Sequence, residues 1–185
     1  MADFNHEMLC VLSGFGGQGL LFAGKIMANC GLIDGRQVSW MPSYGPEMRG
    51  GTANCSVSLS DDAIGTPFIT KPTAVIAMNQ PSVEKFGPTI VPGGTIVIDS
   101  TLAMNGAEGV DIAEGVRIFA FKATEMAEDA GLKGLANIIC LGKLWAETHF
   151  CTRETLDAAL EKCVPPTKQH LLEPNRKALQ MGIDL

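Results

Sequence analysis

The residues in this chain best suited to chemistry are glycines and the polar side chains set among them. Gly14-Phe15-Gly16-Gly17-Gln18-Gly19 follows the apolar run Met8-Leu9-Cys10-Val11-Leu12 and precedes a helix-like stretch from Leu20 to Gly31. That is the position of a strand-turn-helix anion cradle. Gly14, Gly16, Gly17 and Gly19 lack the Cβ that would keep backbone N–H groups away from a phosphate. The helix dipole adds roughly half a positive charge at the same spot. The same letters also suit a tight turn where a helix packs on a strand, so context has to decide.

A dinucleotide site would expect an acidic residue roughly 20 positions further on, at the end of the second strand, to hold ribose hydroxyls. Here the second strand reads Arg36-Gln37-Val38-Ser39-Trp40-Met41, and no carboxylate ends it. Asp34 comes too early, in an Asp34-Gly35 turn where an Asp side chain is expected to bond its own backbone. Arg36 is too early to serve an NADP phosphate.

The second special segment is Pro42-Ser43-Tyr44-Gly45-Pro46-Glu47-Met48-Arg49-Gly50-Gly51, between two strand signals. Gly50-Gly51 permits a backbone nest or a close approach to a neighbour, and Arg49 offers a planar donor fork for carboxylate or phosphate. The alternative is that Arg49 pairs with Glu47 or another acid and pins the loop. Residue chemistry leaves the two even.

The elements that must position these loops alternate between strand and helix periods, the pattern of an α/β domain. Strands are expected over 8–13, 37–41, 52–60, 74–78, 95–99 and 116–121, and helices over 19–31, 81–87, 123–131, 134–148, 153–163 and 174–182. Residues 52–60 alternate strictly, with Ala53, Cys55, Val57 and Leu59 on one face and Asn54, Ser56 and Ser58 on the other. That pattern predicts a half-exposed, antiparallel strand. The runs at 74–78 and 95–98 are apolar throughout and suit central parallel strands. Thr152 is expected to cap the helix over 153–163, and Pro165-Pro166 to stop it. Pro174 is expected to open the last helix. Asn137 begins an apolar helix, where it either satisfies nearby backbone or points into a site. Gly142 on that helix's apolar face predicts close packing against another element.

At 185 residues the chain fits one domain over 1–185, with a helical C-terminal region from about 152 to 185. A hydrophobic content of 46% with 18% charged residues argues against disorder and leaves apolar surface for partners. The formal charge of -6 disfavours nucleic acid. No apolar run reaches the ~18 residues of a membrane span, and residues 1–7 do not read as a signal peptide. Cys10, Cys30, Cys55, Cys140, Cys151 and Cys163 show no metal-like spacing and read as buried thiols in a reducing, cytoplasmic compartment. No metal site is expected, and no iron–sulfur ligand set is recognisable. His6, His149 and His170 are too scattered for a ligand or catalytic set.

Taken together, G-F-G-G-Q-G at 14–19, P-S-Y-G-P-E-M-R-G-G-T-A-N-C at 42–55 and G-L-A-N-I-I-C-L-G at 134–142 resemble the gamma subunit of 2-oxoacid:ferredoxin oxidoreductases. The branched-chain 2-oxoacid and 2-oxoglutarate enzymes are the nearest in pattern. Corresponding domains occur in pyruvate:ferredoxin and indolepyruvate:ferredoxin oxidoreductases. The likeness covers nearly the whole chain, and its second string is the most specific. It implies a three-layer α/β fold, Rossmann-like in its N-terminal half, with a mostly parallel, mixed sheet.

The resemblance further implies a subunit of an enzyme that decarboxylates a 2-oxoacid on thiamine diphosphate, reduces ferredoxin and delivers the acyl group to coenzyme A. Thiamine diphosphate and iron–sulfur clusters would sit on partner subunits, alpha and beta with a ferredoxin-like delta as an optional further one. This chain would hold no catalytic residue of its own. Gly14, Gly16, Gly17, Gln18 and Gly19 would contact coenzyme A phosphates, with Arg49 completing that site or an interface. The rival expectations are a free-standing NAD(P)-dependent oxidoreductase and a purely structural assembly subunit.

Arg49→Ala separates the readings of the second loop. If Arg49 holds a ligand phosphate, assembly survives and coenzyme A affinity falls by about 1.5–3 kcal/mol. If it anchors an interface, complex formation weakens in a pull-down of the partner subunits. An unchanged complex with unchanged kinetics contradicts both.

Overall fold

Six stretches of β-branched and apolar residues form one sheet in the order β2-β3-β1-β4-β5-β6. The strands are β1 (Glu7–Phe15), β2 (Gln37–Ser43), β3 (Thr52–Ser60), β4 (Ala74–Ala77), β5 (Thr95–Asp99) and β6 (Arg117–Phe121). This computed structural model describes residues 7–43 and 52–185. The second glycine-rich segment from Tyr44 to Gly51, with Arg49, lies outside the described residues. The helices are α1 (Leu20–Ile33), α2 (Gln80–Phe86), α3 (Ala123–Asp129), α4 (Ala136–Thr148), α5 (Arg153–Cys163) and α6 (Leu172–Ile183).

β4 pairs in parallel with β1 and β5, as the continuous apolar runs of β4 and β5 suit, and β5 pairs in parallel with the half-exposed β6. β3 is antiparallel to both β1 and β2. Its polar face is less exposed than its alternation predicts. Ser58 is 1% and Ser60 6% exposed, because strands flank β3 on both sides and the chain beyond it folds back, Ser60 Oγ accepting the Asp62 N–H at 3.1 Å.

The sheet has two unequal faces. One carries Met8, Cys10 and Leu12 of β1 with Cys55, Val57 and Leu59 of β3, packed under residues of α1, α3, α4, α5 and α6. The other carries Val11, Val75, Ala77, Ile96 and Ile98, covered by α2 and by irregular chain that contributes Ile69, Ala103 and Val110. Each fully buried Leu, Ile or Met contributes roughly 1.5–3 kcal/mol.

Two glycines let α1 settle onto the sheet. A Cβ on Gly24 would lie 2.6 Å from Cys55 Sγ, and one on Gly31 would lie 2.7 Å from both Leu59 Cδ2 and Val38 Cγ2. At the other end of the chain, Thr152 caps α5 by accepting the Thr155 N–H at 3.1 Å. Pro166–Leu171 forms a 3-10 turn, and α6 starts at Leu172, earlier than Pro174 suggests. Pro174 is tolerated because first-turn amides have no helical acceptor. The expectation for Gly142 holds, since α4 and α6 cross where their glycines face each other. A Cβ on Gly142 would come within 2.2 Å of Leu179 O, and one on Gly182 within 1.9 Å of Ile139 O.

The crossing makes a test. Gly142→Ala and Gly182→Ala each gain about 1 kcal/mol in helix propensity but push a methyl into backbone, at a cost of about 1–3 kcal/mol. Urea unfolding should show net destabilisation for both variants. Stabilisation of either would contradict the close crossing.

Candidate functional site

The chain leaves β1 through α1 toward β2 on one side of the sheet, and leaves β4 through α2 toward β5 on the other. The crevice beyond the C-terminal ends of β1 and β4 is therefore the topological switch point, where open α/β sheets bind ligands. The first glycine-rich loop lies at that crevice.

Within the loop the glycines do different jobs. Gly14 is the penultimate residue of β1, and a Cβ there would collide with Gln18 Oε1 and lie 3.0 Å from Met78 Cβ, so its role is close packing. Gly17 and Gly19 have φ of +93° and +75°, a conformation that favours glycine. Gly16 is outside that left-handed set. Among the described residues, no hydrogen bond is donated by the loop amides of Gly16, Gly17 or Gly19, or by Leu20 and Leu21 at the start of α1. α1 has no side-chain cap and no acidic residue in its first turn. These amides and the helix dipole form a concentrated donor surface.

Two side chains hold that surface in shape. Gln18 bends back so that Oε1 accepts the Phe15 N–H at 2.5 Å and Nε2 donates to Met78 O at 3.2 Å, tying the end of β1 to the end of β4. Its polar atoms are thus committed within the chain, which makes Gln18 a brace for the loop. Asn137, 2% exposed on α4, donates from Nδ2 to Gly19 O at 2.8 Å, while its Oδ1 has no partner. Asn137 therefore satisfies nearby backbone with half of its amide. A Cβ on Gly19 would sit 2.7 Å from Asn137 Nδ2, so the contact requires glycine twice over.

Cavities flank the loop on both sides. One of about 230 Å³ is lined by Gly17, Gln18, Met78, Leu102, Thr124 and Lys133. Another of about 320 Å³ is lined by Phe15, Gly16, Gly17, Gly19, Leu20 and Phe22. At the end of β5 the buried Asp99 accepts from Thr101 N at 3.1 Å and from Thr124 N and Oγ1 at 3.2 and 2.5 Å, fixing the wall that Thr124 forms. At the end of β4, Asn79 caps α2 by accepting the Ser82 N–H at 3.0 Å, and its buried Nδ2 has no partner. The sequence signals for Asn79 were its place before Gln80-Pro81 and at the end of an apolar strand.

The sheet also brings the flanks of the second loop to this edge. β2 is antiparallel to β3 and β3 to β1, so Ser43 and Thr52 bracket residues 44–51 at the same end as the glycine loop, with Thr52 opposite Phe15. β3 separates β2 from β1, and a ribose reader at the end of β2 would be one strand too far away. Asp34 does not bond its own backbone as its turn suggests. Its carboxylate accepts from Thr155 Oγ1 at 2.7 Å in the first turn of α5. Arg36 pairs with Asp61 at 3.0 Å.

The six cysteines are free and buried. Burial pushes the Cys10 and Cys140 thiols up, with help from Cys55 and Asp99 respectively, and pushes Cys55 up to about 12 against the opposing pull of the Trp40 indole. Cys30 is raised by the adjacent Cys151 thiol and by burial. Burial also raises Cys163, partly offset by Lys25 and Lys162. These are not activated nucleophiles. Among the described residues, no three His, Cys, Asp or Glu side chains are placed to hold a metal ion, and no helix is long and apolar enough to cross a membrane.

The model of the family described as pyruvate ferredoxin/flavodoxin oxidoreductase matches residues 10–185. Ketoisovalerate oxidoreductase subunit VorA of Methanothermobacter thermautotrophicus is 38% identical over 96% of this chain, which spans only 36% of that protein's length. 2-oxoglutarate synthase subunit KorC of Methanocaldococcus jannaschii is 32% identical, with 94% of this chain and 91% of that protein covered. The solved gamma subunit of a keto/oxoacid ferredoxin oxidoreductase from Geobacter sulfurreducens PCA superposes with a TM-score of 0.79 at 32% identity, covering 96% of each chain. A 2-oxoglutarate:ferredoxin oxidoreductase from Magnetococcus marinus, solved with 2-oxoglutarate, coenzyme A and succinyl-CoA bound, matches with a TM-score of 0.78 at 22% identity, covering 96% of this chain and 30% of that one. That last likeness is one of fold.

Two measurements check the local reading. In Gln18→Ala, losing the brace should remove about 1 kcal/mol of local stability and speed hydrogen exchange of the Phe15 amide, with unchanged exchange contradicting the role. The thiols of Cys10, Cys30, Cys55, Cys140 and Cys163 should alkylate slowly at pH 8, since raised pKa values leave little thiolate until the pH approaches them. All six should titrate after denaturation without reductant, and fewer would reveal a disulfide.

Proposed function

This chain belongs to the pyruvate ferredoxin/flavodoxin oxidoreductase family, and from that premise we propose that it is the gamma-type subunit of an enzyme converting a 2-oxoacid to an acyl-CoA with reduction of ferredoxin. Its own task in that assembly is to hold coenzyme A. The observation that carries this is the set of uncommitted amides of Gly16, Gly17, Gly19, Leu20 and Leu21 at the switch point. They suit a pyrophosphate, while among the described residues the inserted β3 moves the end of β2 one strand away and Asp34 is committed to Thr155, so neither serves as a ribose reader for a nicotinamide dinucleotide. Coenzyme A carries a pyrophosphate and needs no such reader. The Magnetococcus structure, a larger protein of which the matched fold is 30%, was solved with coenzyme A bound and supports the choice of ligand.

Thiamine diphosphate supplies carbanion stabilisation when bound, and we assign it and the iron–sulfur clusters to the alpha and beta subunits, with ferredoxin as electron acceptor of the whole enzyme. A ferredoxin-like delta subunit is a further partner in this reading. Within this chain the loop amides bind the pyrophosphate, Gln18 and Asn137 keep them aligned, and Gly14 permits the packing. Arg49 is proposed to complete the phosphate site or to face a partner. Phe15 at 39% and Leu102 at 41% exposed, each lining a cavity at the loop, place apolar surface beside the crevice, which fits a face that a partner subunit covers. A cytoplasmic location accords with the free, buried cysteines.

Gly16→Val tests the assignment. Gly16 is in a surface turn outside the left-handed set, so the fold should survive. In the assembled enzyme, carbon dioxide release should continue while the coenzyme A-consuming step slows or needs much higher coenzyme A. If the loop is only a packing turn, both half-reactions fall together as the complex loosens. An intact complex with unchanged coenzyme A dependence would refute the cradle.

A further inference from the structure

A second groove, of about 310 Å³, lies beside the outward face of α1, between α4 and the turn joining α5 to α6, and is lined by Phe22, Lys25, Leu135, Lys168, Leu171 and Asn175 among others. Phe22 also lines the cavity at Gly16, Gly17 and Gly19, so the groove continues the glycine-loop site along the helix. Its wall is largely apolar, it is lined by two lysines and no carboxylate, and neither lysine forms an ion pair among the described residues. Both are exposed at the groove. Asn175, 3% exposed, donates from Nδ2 to Leu171 O at 2.7 Å and keeps an Oδ1 without a partner.

The chemistry of this lining is narrow. An aromatic ring and a leucine offer a flat apolar seat for a planar heterocycle. Two ammonium groups without a counter-charge call for an anion. Position sets the identity of that anion: from Gly19 to Lys25 the helix rises about 9 Å, a distance that one ribose bearing phosphates at two positions, with the reach of a lysine side chain, can span.

We propose that this groove receives the 3′-phosphoadenosine end of coenzyme A, with the base against Phe22 and Leu135 and the monoester phosphate between Lys25 and Lys168. The inference rests on reading the glycine loop as the pyrophosphate cradle. It adds a specificity: the chain distinguishes coenzyme A from dephospho-coenzyme A, which keeps the pyrophosphate and lacks only the monoester.

Calorimetric titration of the full chain with coenzyme A and with dephospho-coenzyme A tests it. The wild type should bind coenzyme A about tenfold or more tightly. Lys25→Ala/Lys168→Ala should lose that preference while keeping its affinity for dephospho-coenzyme A. These exposed positions leave the core intact, and an unchanged circular dichroism melt verifies folding. Equal affinity of the wild type for the two ligands, or a preference that survives in the double variant, overturns the groove assignment and leaves the cradle standing. If neither ligand binds, the cradle falls, and the groove assignment with it.

Discussion

Uncommitted backbone donors at the start of α1 are the constraint around which this end of the molecule is arranged. Exposed helix N-termini can rely on water, but a loop that presents several amides in one direction must be held in a conformation few residues adopt. Gly17 and Gly19 supply the left-handed backbone, Gln18 ties the loop to β4, and Asn137 reaches from α4 to the Gly19 carbonyl. The helix below is then seated by Gly24 and Gly31, which allow it to approach β2 and β3 more closely than any Cβ would permit. The shape of the donor surface thus depends on packing well away from it.

Sheet order determines what that surface can serve. Inserting antiparallel β3 between β1 and β2 leaves β1 and β2 running the same way, joined through α1, but carries the end of β2 away from the loop. A pyrophosphate can still be bound at the switch point, whereas a carboxylate at the end of β2 would stand one strand away from it. One change in strand order therefore separates this architecture from a dinucleotide-binding one, even though the glycine fingerprint is shared. The same insertion brings the ends of β2 and β3, and with them the start and finish of the second glycine-rich segment, to the ligand edge.

Much of this was legible in the sequence because its signals are local. Each strand and helix was located from its period, and the facing of α4 and α6 was foreshadowed by Gly142 on an apolar stripe. What escaped depends on tertiary placement. Ser58 read as solvent-facing because alternation reports a face and cannot report the chain folding back over it. Asp34 read as a turn residue because its partner, Thr155, is remote in sequence. That Gln18, read as a ligand contact, also bonds the Phe15 N–H and Met78 O was not legible, because nothing local places Met78 O within reach. Gly14 and Gly19 look alike as letters, yet one is required by packing inside a strand and the other by a positive φ.

An amide-resolved NMR titration of the chain with coenzyme A addresses the central claim most directly, because it observes the donors themselves. The account predicts that the Gly16, Gly17, Gly19, Leu20 and Leu21 resonances shift together and saturably, that their hydrogen exchange slows on binding, and that NADH leaves them nearly unmoved at the same concentration. Saturable shifts confined to another surface, or equal responses to NADH and coenzyme A at these amides, would contradict it.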